Sequence, residues 1–339
     1  MRKILPLALV CCLVASCHKD DVKGPANTSA ICFNTDFINT GLSSSFLSVF
    51  FINGKDGFVG TEDGGIYKTT DSARTWSSLH PPIGLPIRAL YFIDENTGFA
   101  AGGENVCSGT GCIPGGGFIL KTENGGVTWA KIFTPSTKTE INAICFINPA
   151  NGFCVGGNTV YKTIDGGATW TENNVGNIGG LLMNISFKDN KTGFIVGLFN
   201  KLLKTEDGGA TWQLNKLNND VGYYAISSSN GGDYISGQGK ILKSTNGGTS
   251  WFELTNSPID IFDIKFIDKN TGYAFGRGNY SGGDFGRVYG AMYCTSNGGA
   301  SWNGNGDFNE AGEITAVSFP AKNIGYAITG NKIIKIDVQ

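Results

Sequence analysis

Histidine is almost missing from this 339-residue chain, which has only His18 and His80. A His-rich zinc centre and a Ser-His-Asp triad both need imidazoles gathered at one place, so neither is expected. Charge is sparse too, at 16% of residues, and no basic run is present to follow a phosphate backbone. A nucleic-acid partner is therefore not expected. No glycine-rich loop passes from a strand into a helix, so the many GG pairs among the 51 glycines read as turns and not as phosphate cradles. The one long apolar run, Ile4 to Val14, is too short to span a bilayer. Asp and Asn recur one per repeat, far apart, whereas calcium wants roughly six or more oxygens at one place. No metal and no cofactor is expected.

What the N-terminus does contain is a processing signal. Arg2-Lys3 precede the apolar run, which ends in Leu13-Val14-Ala15-Ser16-Cys17. That ending resembles a bacterial lipobox, which makes residues 1–16 a lipoprotein signal peptide and Cys17 the lipidated first residue of the mature chain. His18-Lys19-Asp20-Asp21 resembles the surface-export tag of Bacteroidota lipoproteins. Residues 17–30 then form a lipidated tether, and the expected location is the outer membrane, exposed at the surface and held by a lipid anchor only. Removing residues 1–16 takes away Arg2 and Lys3 and no acid, which moves the formal charge from −2 to −4.

The rest of the chain, 31–339, is built on repetition. All six tryptophans close the same eight-residue phrase, Ser/Thr-x-Asp/Asn-x-Gly-x-Ser/Thr-Trp, with Ala73 in place of one glycine. The key pairs are Asp71 and Trp76, Asn124 and Trp129, Asp165 and Trp170, Asp207 and Trp212, Asn246 and Trp251, and Asn297 and Trp302. Asp or Asn accepts backbone N–H groups of its own turn, glycine supplies positive φ, and Trp covers the turn with an apolar face. These residues are expected to be structural.

Between the boxes runs a hairpin phrase, apolar-x-Phe-x-Asn/Asp-x-x-x-Gly-Phe/Tyr, as in VFFINGKDGF and ICFINPANGF, with one degenerate copy, ISSSNGGDY. Two strands flank the hairpin, a third ends in an apolar-Lys-Thr step, and a fourth starts at the Trp. Four strands per unit at a period near forty residues mean propeller blades. Seven hairpins against six boxes give seven blades, and the missing box marks the seam of the ring. Phe33 falls in the empty Trp slot, so the segment around Ile31–Phe37 is expected to complete the blade that the C-terminus begins. The predicted fold is all-β, a seven-bladed propeller.

Setting aside Cys11, Cys12 and Cys17 leaves six cysteines, an even number compatible with disulfides in an exported protein. Cys107 and Cys112 bracket a Gly-rich loop, Cys145 and Cys154 flank one hairpin, and Cys32 with Cys294 would tie the N-terminal strand into the ring. Successive Trp spacings of 53, 41, 42, 39 and 51 place insertions in the second and sixth blades, both between the second and third strands. Those loops emerge opposite the boxes, beside the blade-to-blade connections. The sixth-blade insertion brings Arg277, Tyr280, Asp284, Phe285, Arg287 and Tyr289, and Arg88 joins blades on the same face. Arg and aromatic residues are common binding anchors, so these are the candidate binding residues.

The boxes are BNR/Asp-box repeats, and their combination with the Asn/Asp hairpin over about residues 45–336 resembles the photosystem II stability/assembly factor family. The resemblance implies a non-enzymatic seven-bladed protein that binds proteins during assembly. That family's recognition surface is Arg-rich, whereas the mature chain has Arg74, Arg88, Arg277 and Arg287 only. The fold is expected to carry over without the photosynthetic role. Asp boxes also resemble those of sialidases, xyloglucan-degrading hydrolases and sortilin-type receptors. A sialidase needs three convergent arginines and glycosidases need two placed carboxylates, for which Asp260 and Asp263 are the nearest offer. The expected function is a non-catalytic, protein-binding or assembly propeller at the cell surface; the alternative is a propeller that binds or cleaves glycans.

Overall fold

A computed structural model describes residues 32–108, 111–176, 180–217, 221–229, 232–278, 289–308 and 312–338. They form seven antiparallel sheets of four strands each. The first strands, Phe46–Phe51, Ile87–Phe92, Ala143–Phe146, Leu182–Phe187, Tyr223–Ser229, Ile261–Phe266 and Ala316–Ala321, stand innermost and wall an axial channel. Six sheets use four consecutive strands. In the seventh, Phe33–Asn39 forms the outer strand against Lys332–Val338, with Phe33 opposite Val338 and Asn39 opposite Lys332. The ring is therefore closed by the two ends of the propeller, as the missing box implied. Thr40 and Asn331 reinforce the seam: the Thr40 hydroxyl donates to the Asn331 carbonyl at 3.0 Å, and Asn331 Nδ2 donates to the Leu42 carbonyl at 2.8 Å.

One aromatic contact repeats around the ring and explains the hairpin phrase. In every blade but the fifth, the first strand carries a Phe that meets the Phe or Tyr near the start of the second strand of the preceding blade, as Phe51 on Tyr326 at 3.5 Å between centroids, Phe92 on Phe58 at 4.0 Å, Phe187 on Phe153 at 4.7 Å and Phe266 on Tyr234 at 3.4 Å. The box Trp meets the same Phe edge-on, as Trp129 does to Phe92 at 85°. Each buried ring contributes about 1.5–3 kcal/mol, with about 0.5–1.5 kcal/mol more from the aromatic pairing. The glycine directly opposite that Phe is required by space: a Cβ on Gly98 would stand 2.4 Å from the Phe92 ring. Phe33, 2% exposed, takes the empty Trp place and lies 5.3 Å from Tyr273.

The box is a closed network. In the third blade, Asp165 Oδ1 accepts from the Thr169 N–H at 2.9 Å and Oδ2 from its hydroxyl at 2.6 Å, while the Thr163 hydroxyl donates to Oδ1 at 2.8 Å. The Gly167 N–H in turn donates to Thr163 Oγ1 at 2.9 Å. Thr75 and Thr169 hold Asp71 and Asp165, respectively, down at about 2, a carboxylate already saturated with donors. In Asn124, Asn246 and Asn297 the amide reverses one bond and donates to the Thr or Ser hydroxyl.

Two expectations about the cysteines and the second-blade insertion are corrected. Cys145 and Cys154 are free thiols. The register pairs Ile144 with Cys154 and Cys145 with Phe153, so the two thiols are offset by one residue and fall on opposite faces of the sheet. Burial pushes Cys145 up to about 12 and raises Cys154 as well. The second-blade insertion is a prolongation of its two strands, Gly98–Ser108 and Gly111–Thr122, and not a loose loop. Pairing runs on to Ser108 and Gly111, with Cys107 opposite Cys112 in register; the side chains of those two cysteines lie outside the described residues. Gly103 and Gly116, at φ 129° and 108°, let the ribbon bend where it leaves the blade. A Cys32–Cys294 disulfide, Cα to Cα 6.3 Å, ties the start of the closing strand to the sixth blade.

Candidate binding site at the channel mouth

Each first strand enters the ring from the insertion-bearing face, and five of the seven enter through a β-bulge. The register slips between Phe46 and Ser48, Ile87 and Ala89, Leu182 and Asn184, Tyr223 and Ala225, and Ile261 and Asp263. The extra residue of each bulge is Leu47, Arg88, Met183, Tyr224 or Phe262. Flanking residues such as Ile87, Leu182, Tyr223 and Ile261 are fully buried, while the bulge residues are partly exposed. A bulge re-aims a side chain out of the ladder, and here it does so at the same level in blade after blade.

The densest cluster lies at blades 5 and 6. The Tyr224 and Phe262 rings are 5.4 Å apart, and the Arg277 guanidinium stands 5.7 Å from the Phe262 centroid. Arg277 is also ion-paired through Nη2 with Glu313 Oε1, and both side chains remain partly exposed. Its backbone N–H donates to the Asp260 carbonyl at 3.0 Å, which gives Asp260, at φ 52°, a backbone role. The Tyr289 carbonyl accepts from the Gly278 N–H at 2.9 Å and closes the base of the insertion. Tyr280, Asp284 and Arg287 lie outside the described residues, as does Cys17. Arg88 stands elsewhere, on blade 2, with its Nε donating to the Gly103 carbonyl at 3.1 Å. Blades 7 and 1 separate it from Arg277 by the shorter way round the ring, so the two arginines do not converge.

Below the mouth, the channel encloses about 630 Å³ and is lined by Arg88, Asn142, Asn184, Asp263 and Lys265 among others. Asp263 Oδ2 accepts from the Val317 N–H of the next blade at 2.9 Å. Burial pushes its carboxyl up to about 6, against the pull of that N–H and of Lys265. Asp263 is thus an acid with a raised pKa on a channel wall that also carries Asp189, while Asp260 is engaged through its backbone. Among the described residues, no three His, Cys, Asp or Glu side chains gather to hold a metal ion.

Sequence reasoning singled out Arg88, Arg277 and Tyr289 but missed Tyr224, Phe262 and Glu313. One regularity was present: in the five bulged strands the residue before the bulge position is always apolar, Phe46, Ile87, Leu182, Tyr223 or Ile261, while the bulge position itself varies freely.

The repeat, the ring and the box define the class: a seven-bladed Asp-box β-propeller. Within that class the chain resembles the photosystem II assembly factors. The family model described as photosynthesis system II assembly factor YCF48 matches residues 176–318. Comparison with curated proteins by sequence gives no match. Among solved structures, YCF48 bound to D1 peptide is similar at 16% identity and TM-score 0.69, over 92% of this chain and 98% of that one. A streptogramin B lyase is similar at 12% identity and TM-score 0.70, over 91% and 98%. The GH74 xyloglucanase of Xanthomonas campestris is similar at 14% identity and TM-score 0.63, over 88% of this chain and 52% of the enzyme. At such identities these likenesses establish the fold.

Proposed function

We propose that this propeller is a non-catalytic binding module that holds an extended segment of another protein across its channel mouth. The observation that carries this reading is the row Tyr224, Phe262, Arg277, Glu313 on the insertion-bearing face, its two aromatic rings presented by bulges. Two aromatic faces supply contact area, and the Arg-Glu pair offers hydrogen bonds to a peptide backbone or to side chains of either sign. The similar YCF48 structure has a peptide bound, which supports a polypeptide as the ligand class. Cell-surface display through a lipid on Cys17, without a photosynthetic role, belongs to the same proposal. Crosslinking mass spectrometry on native envelopes tests it: specific crosslinks to a partner are expected with the wild type and lost with Phe262→Ala.

A second reading, glycan binding or cleavage, is favoured by one observation, the near-neutral Asp263 carboxyl facing the channel. Turnover of fluorogenic glycosides or polysaccharides by the wild type, abolished in Asp263→Asn, would establish that reading in place of the first.

A further inference from the structure

Blade 5 breaks the aromatic contact in a specific way. In five blades the first-strand Phe lies directly opposite the glycine that opens the second strand, as Phe146 opposite Gly152 and Phe187 opposite Gly193. In blade 5 the same cross-strand pair is Ser228 opposite Asp233. Both members have changed together. A Cβ on Gly193 would sit 2.6 Å from the Phe187 ring, so an acidic side chain at that place and a Phe opposite it exclude each other. Phe194, which by the pattern should carry the missing ring on its face, has Trp251 at 5.8 Å and no first-strand Phe.

The replacement leaves polar atoms without partners in the space a ring fills elsewhere. Asp233 is 0% exposed, and neither Oδ1 nor Oδ2 has a well-formed hydrogen bond, the Ser228 hydroxyl facing the carboxyl being close enough only to pull on it weakly. Burial pushes the Asp233 carboxyl up, against the pull of Lys188, Ser228 and Lys204. The charged groups within reach are Lys188, Lys204 and Asp189 of blade 4, and Lys204 is already paired with Glu206 at 2.6 Å. Two cations against Asp189, Glu206 and Asp233 leave one negative charge unmatched. A buried carboxylate in that condition is costly unless something positive joins it.

We propose that the slot between Ser228 and Asp233 of blade 5 binds one alkali-metal cation. The donors are all oxygen, which selects a hard ion, and the charge balance selects a singly charged one. The slot stands at the hairpin end of the blade, on the box face, so it is separate from the channel mouth and does not depend on the function proposed above.

The test is thermal unfolding of the full chain in potassium or sodium chloride against choline chloride at equal ionic strength, since choline screens charge but, as a quaternary ammonium, is not coordinated by oxygen donors as a bare alkali ion is. The wild type is expected to melt higher in the alkali salts by roughly 3 °C or more, with saturation. Asp233→Asn should lose that difference, and so should the paired variant Ser228→Phe/Asp233→Gly, which copies the sibling blades and is expected to fold. Thallium soaked into crystals should give an anomalous peak between Asp233 and Ser228. Equal melting in the two salts, or a salt difference that survives in Asp233→Asn, would overturn the proposal. So would a destabilised Lys204→Met variant in a protein insensitive to cation type, because the ammonium would then be the occupant.

Discussion

Glycine and its substitutes decide the box at the scale of single residues. Gly167 has φ 81°, and a Cβ there would stand 2.4 Å from the Phe99 ring. Gly167→Ala is expected to cost about 2–4 kcal/mol in urea unfolding, from backbone strain plus overpacking. The carboxylates make two opposite predictions with pH. Asp165 is held low in the fold, so its contribution is present above its unfolded pKa near 4 and is lost as pH falls toward about 2. Melting followed from pH 5 to 2 should fall less steeply for Asp165→Asn than for the wild type. Asp263 is raised to about 6, so it withdraws stability as pH climbs from its unfolded value through about 6. Asp263→Asn should therefore gain on the wild type between pH 4 and 6 and hold that gain above. The box residues were legible in the sequence because a left-handed turn admits few residue types. Tyr224 and Phe262 were not, because a bulge residue is defined by its missing ladder partner, and Leu, Arg, Met, Tyr and Phe all fill that place here.

Among the elements, pairing was easier to foresee than the path of insertions. The four-strand unit followed from turns at regular intervals, whereas CSGTGC looked like a loop because its glycines suit both a turn and a ribbon. The Cys145–Cys154 error has a related origin: symmetric placement about a hairpin does not fix register, and an offset of one residue reverses the facing side. The Cys32–Cys294 link spans 262 residues of sequence, so it restricts the unfolded chain strongly. Cys294→Ser is expected to lose about 2–5 kcal/mol, measured by denaturant unfolding under oxidising conditions against the same protein reduced.

At the scale of the whole molecule, the seventh blade has its fourth strand only because the first and last strands of the propeller meet. Deleting residues 33–39 should leave Lys332–Val338 as an exposed edge and produce self-association, visible in size-exclusion chromatography. The same arrangement bears on how the chain is made. Phe33–Asn39 leaves the ribosome ahead of all the other propeller strands, and its partner Lys332–Val338 leaves after them, so the outermost strand of one blade waits until the rest of the propeller has been made. A chain stopped anywhere before Lys332 lacks that partner and keeps an open, protease-sensitive end. Ring closure thereby works as a check on length, which a nascent product passes only once Lys332–Val338 has been made.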